Sequence, residues 1–280
     1  MPFCGRRCSY CDFAIAVRRS VPAKDYADSI GAELVTRFPG DRTLELDTLY
    51  LGGGTPSKLG PAGVADLLDR LLHGNVTLAP SAEITMEANP EDVSTGSVAQ
   101  WRSAGVNRLS LGAQSFHAPT LTWMHRTHGP ASVQQAVAAA REGGILDISL
   151  DLIFSVPRRL GRDWRSDLNE ALSLAPSHLS IYGLTVEPHT PLGKWTARGD
   201  VEEAPEDAYA EEFLEAHRTL TESGYEHYEV SSYALPGRRS RHNSAYWRRV
   251  PTSVSVLPLT RSTGCFAAGT NASMSRGALD

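Results

Sequence analysis

Residues 4–11 read Cys4-Gly5-Arg6-Arg7-Cys8-Ser9-Tyr10-Cys11, a C-x3-C-x2-C spacing that follows directly on Pro2-Phe3. Three thiolates on one short loop can bind three irons of a cubane [4Fe–4S] cluster and leave the fourth iron open to an outside ligand. Zinc is one alternative, but it requires a fourth Cys or His at finger-like spacing, and neither His73 nor Cys265 supplies it. Three unrelated thiols are the other alternative. The spacing favours the iron–sulfur cluster.

Downstream of this loop, short apolar runs alternate with amphipathic stretches. Strands are predicted at residues 2–3 (a stub), 48–52, 83–88, 108–113, 147–153 and 178–184. Helices are predicted at residues 22–38, 61–72, 94–104, 130–142 and 164–174, with Ser94 as an N-cap. This alternation predicts βαβ crossovers and a parallel sheet, either open and doubly wound or curled into a partial (β/α) barrel. No G-x-G-x-x-G follows the first strand, which lowers the dinucleotide-binding interpretation.

The composition narrows the class of protein further. The 280 residues are 41% hydrophobic and 21% charged, with 24 Gly and 17 Pro, which excludes collagen-like, coiled-coil and wholly disordered chains. A net charge of −5 without a large basic block predicts no nucleic-acid partner. The sequence has neither an apolar run of about 18 residues nor a signal-peptide pattern, so we expect no membrane span and a cytoplasmic location.

Glycine and polar residues follow the predicted strands at the ends where α/β proteins bind ligands. In Gly52-Gly53-Gly54-Thr55-Pro56-Ser57, three glycines allow a ligand to approach exposed N–H and C=O groups, whereas a plain turn needs one glycine. Glu87, Gln114 and Asp151 lie on three further strands, and Arg126 follows Gln114 by 12 residues. Each alone is compatible with a solvated or capping role. Together, at one edge of a parallel sheet, they predict a binding site.

The cysteine spacing after a first strand resembles the signature of radical S-adenosylmethionine (SAM) proteins. The stretch Tyr10-Cys11-Asp12-Phe13 narrows the resemblance to the subgroup with anaerobic coproporphyrinogen III dehydrogenases and HemW-type heme chaperones. The resemblance implies a partial (β/α)6 radical SAM barrel of parallel strands, a [4Fe–4S] cluster on the three cysteines, and SAM chelated to the open iron. In the family an electron from the cluster cleaves SAM to methionine and a 5′-deoxyadenosyl radical. The implied SAM-binding residues are Tyr10, Gly53, Gly54, Thr55, Glu87, Gln114, Arg126, whose guanidinium pairs with the SAM carboxylate, and Asp151.

A second motif, His242-Asn243-x-x-Tyr246-Trp247, resembles the H-N-x-x-Y-W motif of the heme-chaperone branch. An imidazole can ligate heme iron and aromatic rings can pack on a porphyrin, so the resemblance implies heme as cargo with His242 as a ligand. The alternative is that His242 and Trp247 simply close the barrel edge. The dehydrogenase branch carries C-G-C after the cluster motif, whereas Asp12-Phe13 stands here, as in the chaperones.

The resemblance implies a heme chaperone that receives electrons from a donor protein and delivers heme to an acceptor protein. The enzymatic alternative is an oxygen-independent coproporphyrinogen III oxidase that decarboxylates its substrate with SAM. A heme titration and an anaerobic decarboxylation assay separate the two.

Both ends of the sequence depart from the family pattern. The family's first strand reads Tyr-x-His-x-Pro-Phe-Cys, of which Pro2-Phe3-Cys4 remains, so we expect a truncated first strand. After Trp247 the family continues with Tyr-Leu-Gly-x-Gly, and a back-translation of residues 252–264 contains such a reading in another frame. We therefore expect a barrel at residues 1–200, a helix and strand extension at residues 201–251, and an out-of-frame, disordered tail at residues 252–280. A non-functional frameshifted fragment is the second alternative.

Overall fold

The computed structural model describes residues 1–38 and 43–255. Within these ranges the strands are β1 (Phe3–Cys4), β2 (Ala16–Val17), β3 (Leu44–Leu51), β4 (Val76–Ala88), β5 (Arg108–Gln114), β6 (Asp147–Phe154), β7 (His178–Gly183), β8 (Glu226–Glu229) and β9 (Ser232–Ala234). The five longer strands predicted from the apolar runs are all present. The main difference is β4, which begins at Val76 because its first residues pair with the start of β3 before a shift in register.

The helices are α1 (Ala23–Arg37), α2 (Gly60–Leu71), α3 (Thr95–Ser103), α4 (Ala118–Trp123), α5 (Pro130–Glu142), α6 (Trp164–Ser173), α7 (Pro191–Ala197), α8 (Glu206–Glu222) and α9 (Arg241–Trp247). The predicted helices match within a few residues, and Ser94 caps α3 by accepting a hydrogen bond from the N–H of Ser97. The helix predicted after residue 201 is α8. In the extension predicted at residues 201–251, a tight turn joins β8 to β9. No described helix is both long and apolar enough to cross a bilayer.

The main sheet has the strand order β3-β4-β5-β6-β7-β9-β8, in which β3 to β7 are parallel and the last two strands are antiparallel. A doubly wound sheet reverses its strand order near the middle, whereas these five parallel strands follow one another in sequence order. Side chains from all five line one small polar cavity, so the sheet is curled into a half-barrel. The partial-barrel prediction is therefore confirmed.

The two faces of the sheet differ because successive side chains on a strand point to opposite sides. Leu109 and Leu111 on β5 and Ile148 and Leu150 on β6 are fully buried against the helices. The alternating residues on the inner face are polar and include Arg108, Ser110, Ser149 and His178. The hydrophobic core thus lies outside the half-barrel, and a polar lining lies inside it.

The first residues of the chain lie beside the loop that follows β3. β1 pairs with β2 in a separate two-stranded parallel sheet. The amino group of Met1 donates to the carbonyl of Gly52 at 2.6 Å, and the carbonyl of Phe3 accepts from the N–H of Thr55 at 2.8 Å. At the other end, the predicted out-of-frame segment lies outside the described residues from position 256 onward, and Cys265 lies with it.

Candidate functional site

The three predicted cluster ligands lie on one loop at the carboxyl edge of the half-barrel, and all three are free thiols. The Sγ atom of Cys4 accepts a hydrogen bond from the hydroxyl of Thr55 at 3.3 Å. The Sγ atom of Cys8 accepts one from Nη1 of Arg126 at 3.4 Å. The N–H of Cys11 bonds back to the carbonyl of Cys8 at 3.4 Å, which closes a turn between the two cysteines.

The electrostatics of this loop favour a bound cation. Burial raises the pKa of the Cys4 and Cys11 thiols, and the neighbouring Cys8 raises both further. The three thiols thus act electrostatically on one another, each disfavouring the ionised form of its neighbours. A metal ion removes this penalty because a coordinated thiol is deprotonated. The residues present therefore fit an iron–sulfur cluster.

The arrangement differs from that of a site for one ion. Among the described residues, no three Cys, His, Asp or Glu side chains converge on a single point as the ligands of one metal ion do. A cubane needs no such convergence because each sulfur binds a different iron. When bound, a cluster of this kind supplies one-electron chemistry and an open iron, and the protein residues around it position its ligand.

The N–H groups of the glycine loop after β3 form hydrogen bonds within the protein itself. The N–H of Gly54 donates to the carbonyl of Met1 at 2.6 Å, and the N–H of Gly53 donates to Oε2 of Glu87 at 3.0 Å. A Cβ atom at Gly54 would lie 2.6 Å from the carbonyl oxygen of Phe3. Gly53 is exposed, but its N–H group and that of Gly54 already donate within the chain. The contact of Gly53, Gly54 and Thr55 with SAM stays a prediction.

Glu87 lies at the end of β4 and contacts this loop from the inner face. Its Oε1 atom accepts a hydrogen bond from the phenol of Tyr50 at 2.8 Å, and Oε2 accepts the N–H of Gly53. Burial raises the pKa of Glu87 to about 7, against the hydrogen bond from Tyr50, which lowers it. This carboxyl group can therefore exchange a proton near neutral pH, and a cationic ligand would favour its ionised form.

The carboxyl edge of the half-barrel, with the cysteine loop and the glycine loop, is called the rim below. Arg126 contacts three parts of this rim. Its Nη2 atom donates to Oδ1 of Asn89 at 2.8 Å and to the carbonyl of Gly112 at 2.9 Å, while Nη1 donates to Cys8. The Nε atom is buried and has no partner in the described part of the chain. Both hydrogens of Nη2 are engaged, whereas one hydrogen of Nη1 and the hydrogen of Nε have no partner among the described residues. The guanidinium is thus placed between the cysteine loop and the sheet, and its contact with SAM stays a prediction.

The three remaining predicted SAM residues surround the same edge. Tyr10 is half-buried with Met124, Ile153 and Val156, and burial raises the pKa of its phenol while Arg126 opposes this. Gln114 ends β5 with a left-handed φ of 65°, beside a shift in register. Asp151 lies deeper, where both carboxylate oxygens accept from the hydroxyl of Ser110 at 3.0 Å and burial raises its pKa. Among the described contacts, no hydrogen bond joins Tyr10, Gln114 and Asp151 to one another.

His242 lies on a different part of the molecule, at the start of α9 along the edge strand β3. Its Nδ1 atom is 2.9 Å from the hydroxyl of Thr48, and its ring stacks on that of Tyr50 with centroids 5.1 Å apart and an interplanar angle of 25°. Burial lowers the pKa of the half-buried imidazole, against the charge of Glu83. In the same helix, Tyr246 and Trp247 are 48% and 67% exposed.

Four residues that position these groups are not predicted by any motif in the sequence. Asn89 orients Arg126, and Thr48 and Tyr50 hold the His242 ring. Glu83 accepts the backbone N–H groups of Arg241 and His242, each at 3.0 Å. Asn89 follows Glu87 by two residues, directly after β4, and this position at the carboxyl end of a strand could have identified it as a site residue. The other three act across sequence separations that no local pattern contains.

The chain is similar to known proteins over most of its length. It is 39% identical over 249 residues to the "Heme chaperone HemW" of Escherichia coli, covering 89% of this chain and 65% of the relative. It is 35% identical over 257 residues to the protein of the same name from Synechocystis, covering 90% and 62%. The chain thus spans less than two thirds of the length of these curated relatives.

Solved structures agree with this similarity. The coproporphyrinogen III oxidase (HemN) of Escherichia coli, described as a radical SAM enzyme, matches with a TM-score of 0.75 and 26% identity, covering 90% of this chain and 57% of that one. The radical SAM methyltransferase TsrM of Kitasatospora setae shares the fold, with a TM-score of 0.52 and 16% identity over 70% of this chain and 38% of that one. A family model described as "Radical SAM superfamily" matches residues 1–171, the stretch that carries the cysteine loop and the rim. The chain therefore belongs to the radical SAM superfamily, a membership that implies a [4Fe–4S] cluster and SAM as its cofactors.

Proposed function

We propose that this chain is a radical SAM protein of heme metabolism that binds heme and delivers it to an acceptor protein. The observation that carries the proposal is the setting of His242. Its Nδ1 atom bonds to Thr48 and its ring is fixed on Tyr50, while no described residue bonds to Nε2. With Nδ1–H donating to the Thr48 hydroxyl, Nε2 keeps its lone pair for heme iron.

The groups around His242 also suit a flat, largely apolar cargo. Burial lowers the pKa of the imidazole, and the neutral form is the one that ligates iron. The exposed rings of Tyr246 and Trp247 offer the surface on which a porphyrin packs. The relatives named heme chaperones support the same proposal.

Among the described residues, those that line the small polar cavity inside the half-barrel offer no free cation to the substrate of the oxidase alternative. Coproporphyrinogen III carries four propionates, so an enzyme that encloses it requires basic side chains. Among the described residues that line the polar cavity, Arg108 is the cationic one. Its guanidinium is 2% exposed and is already paired with Asp147 at 2.7 Å. In favour of the oxidase alternative stands the similarity of the fold to that of HemN.

The cluster and SAM belong to the same proposal at the rim of the barrel. Cys4, Cys8 and Cys11 would hold the cluster, Arg126 would bind the SAM carboxylate, and Glu87 would accept from the SAM amino group. An electron-donor protein, a heme-acceptor protein and the cytoplasmic location predicted above complete the proposal.

A heme titration tests the carrier function. We expect the wild-type chain to develop a Soret band when heme binds. We expect His242→Ala to lose at least about tenfold in heme affinity, which corresponds to about 1.4 kcal/mol of binding free energy. His189→Ala, which removes an exposed imidazole, is the matched control. Unchanged affinity in His242→Ala would exclude this ligand. Anaerobic conversion of coproporphyrinogen III to protoporphyrinogen would instead establish the oxidase. If neither binding nor turnover is found, both functions are contradicted.

A further inference from the structure

A continuous chain of contacts joins the glycine loop of the rim to His242. The N–H of Gly53 donates to Oε2 of Glu87 at 3.0 Å, and the phenol of Tyr50 donates to Oε1 at 2.8 Å. The aromatic ring of the same Tyr50 side chain stacks on the imidazole of His242. Three contacts therefore link the loop expected to bind SAM to the imidazole proposed to bind heme.

Tyr50 is the member of this chain that touches both ends. Its ring lies on β3, two residues from Thr48, so both side chains point to the same face of the strand. Thr48 fixes the Nδ1 atom of His242 and Tyr50 fixes the plane of the ring. Any change in the position of the Tyr50 phenol therefore changes how the imidazole is held.

Glu87 is the member that can respond to a ligand. Its two oxygens are divided between the loop and the phenol, so a charge placed at the loop alters the acceptor seen by Tyr50. SAM carries a sulfonium and an amino group, both cationic, and a cation near a carboxyl group favours its ionised form. Hydrogen bonds to an ionised acceptor are shorter and stronger than bonds to a neutral one.

We propose that Tyr50 couples the two sites, so that SAM bound at the rim tightens the binding of heme at His242. This coupling rests on the proposed heme-binding function and adds its regulation. Tyr50 acts here as a positioning residue: it contacts the ligand histidine from one side and the carboxyl group of the SAM site from the other. Because linkage is reciprocal, heme tightens the binding of SAM by the same factor.

The test compares heme affinity with and without SAM in the full chain carrying a reconstituted, oxidised cluster, in which SAM stays intact. We expect saturating SAM to lower the heme Kd of the wild type by at least about fivefold, the lower end of usual coupling strengths. In Tyr50→Phe, which keeps the ring and removes the hydroxyl, we expect the ratio of the two Kd values to fall to about one. The matched control is Tyr225→Phe, which removes a buried phenol bonded to the carbonyl of Pro176 far from both sites.

The outcomes separate the two proposals. If SAM leaves the heme Kd of the wild type unchanged or raises it, the coupling alone is overturned. A Tyr50→Phe chain that keeps the full wild-type ratio also overturns it. Failure of the wild type to bind heme at all overturns the proposed function, and the coupling with it. If Tyr50→Phe does not fold, Glu87→Gln removes the carboxylate charge between the loop and the phenol, and we expect it likewise to bring the ratio of the two Kd values to about one.

Discussion

At the scale of single residues, Arg126 shows how one side chain organises the rim. It lies outside the sheet, yet its guanidinium contacts Cys8 on one loop and Asn89 and Gly112 at the ends of two strands. A lysine carries the same charge but lacks the planar fork that reaches three acceptors in fixed directions. The geometry of this residue therefore matters more than its charge.

We predict that Arg126→Lys weakens SAM binding by at least about tenfold, because hydrogen bonds to charged groups contribute about 1.5–3 kcal/mol each. Equilibrium dialysis with SAM on reconstituted chain measures this loss. Arg198→Lys, whose exposed guanidinium pairs with Asp200, is the control and should bind SAM like the wild type. Equal SAM affinity in the two variants would remove Arg126 from the site.

The cysteines allow a second prediction at this scale. Cys8→Ser should abolish the broad visible absorbance of a reconstituted cluster, because a hydroxyl replaces a thiolate that must bind iron. Cys265→Ser should leave iron content and absorbance unchanged, since Cys265 lies outside the cluster motif. Loss of the cluster in Cys265→Ser would make that residue a ligand and contradict the three-cysteine assignment.

At the scale of elements, α9 depends on β3 and β4 for its position. Glu83 accepts the first two backbone N–H groups of the helix, an arrangement that satisfies unpaired donors and complements the positive end of the helix dipole. The helix has seven residues and buries none of them fully, so apolar packing contributes little to its placement. Polar contacts with the strands therefore place His242.

We predict that Glu83→Ala lowers heme affinity by about tenfold, with SAM binding kept, because a helix cap contributes about 0.5–2 kcal/mol and its loss frees α9. Heme titration and SAM dialysis on the same preparation check both halves. Asp163→Ala removes a comparable cap from α6, where the Asp163 side chain accepts from the N–H of Ser166, and should leave heme affinity unchanged. Heme affinity equal to the wild type in Glu83→Ala would show that α9 is held by other contacts.

At the scale of the whole molecule, the buried carboxyl group of Glu87 makes folding stability depend on pH. Burial raises its pKa from 4.5 to about 7 in the folded chain. Between these two values the folded chain binds more protons than the unfolded chain, so the free energy of unfolding falls as the pH rises through this window. The stability difference reaches about 3 kcal/mol once the pH exceeds the folded pKa.

We predict that urea denaturation of the cluster-free wild type shows a larger loss of stability from pH 5 to pH 8 than Glu87→Gln does. The amide cannot ionise, so its variant lacks the contribution of about 3 kcal/mol. Glu211→Gln on the exposed face of α8 should follow the wild type at both pH values. Identical pH profiles for Glu87→Gln and the wild type would mean that Glu87 is ionised throughout.

The sequence was sufficient for the five parallel strands, the helices between them and the cysteine loop, because each leaves a local signature. Apolar periodicity predicts an element, and ligand spacing predicts a loop that can bind a cluster. What the glycines of residues 52–54 do could not be predicted, since the N–H groups of Gly53 and Gly54 bond to Glu87 and Met1, which lie far from them in the sequence.

Only the tertiary structure decided which polar groups meet. Thr48 and His242 are 194 residues apart, and Glu83 and His242 are 159 apart, yet both contacts fix the proposed heme ligand. Periodicity shows that a residue lies on the polar face of a strand, but not which element will cover that face. That choice depends on strand order and register, which bring Tyr50, Glu87 and His242 into one chain of contacts.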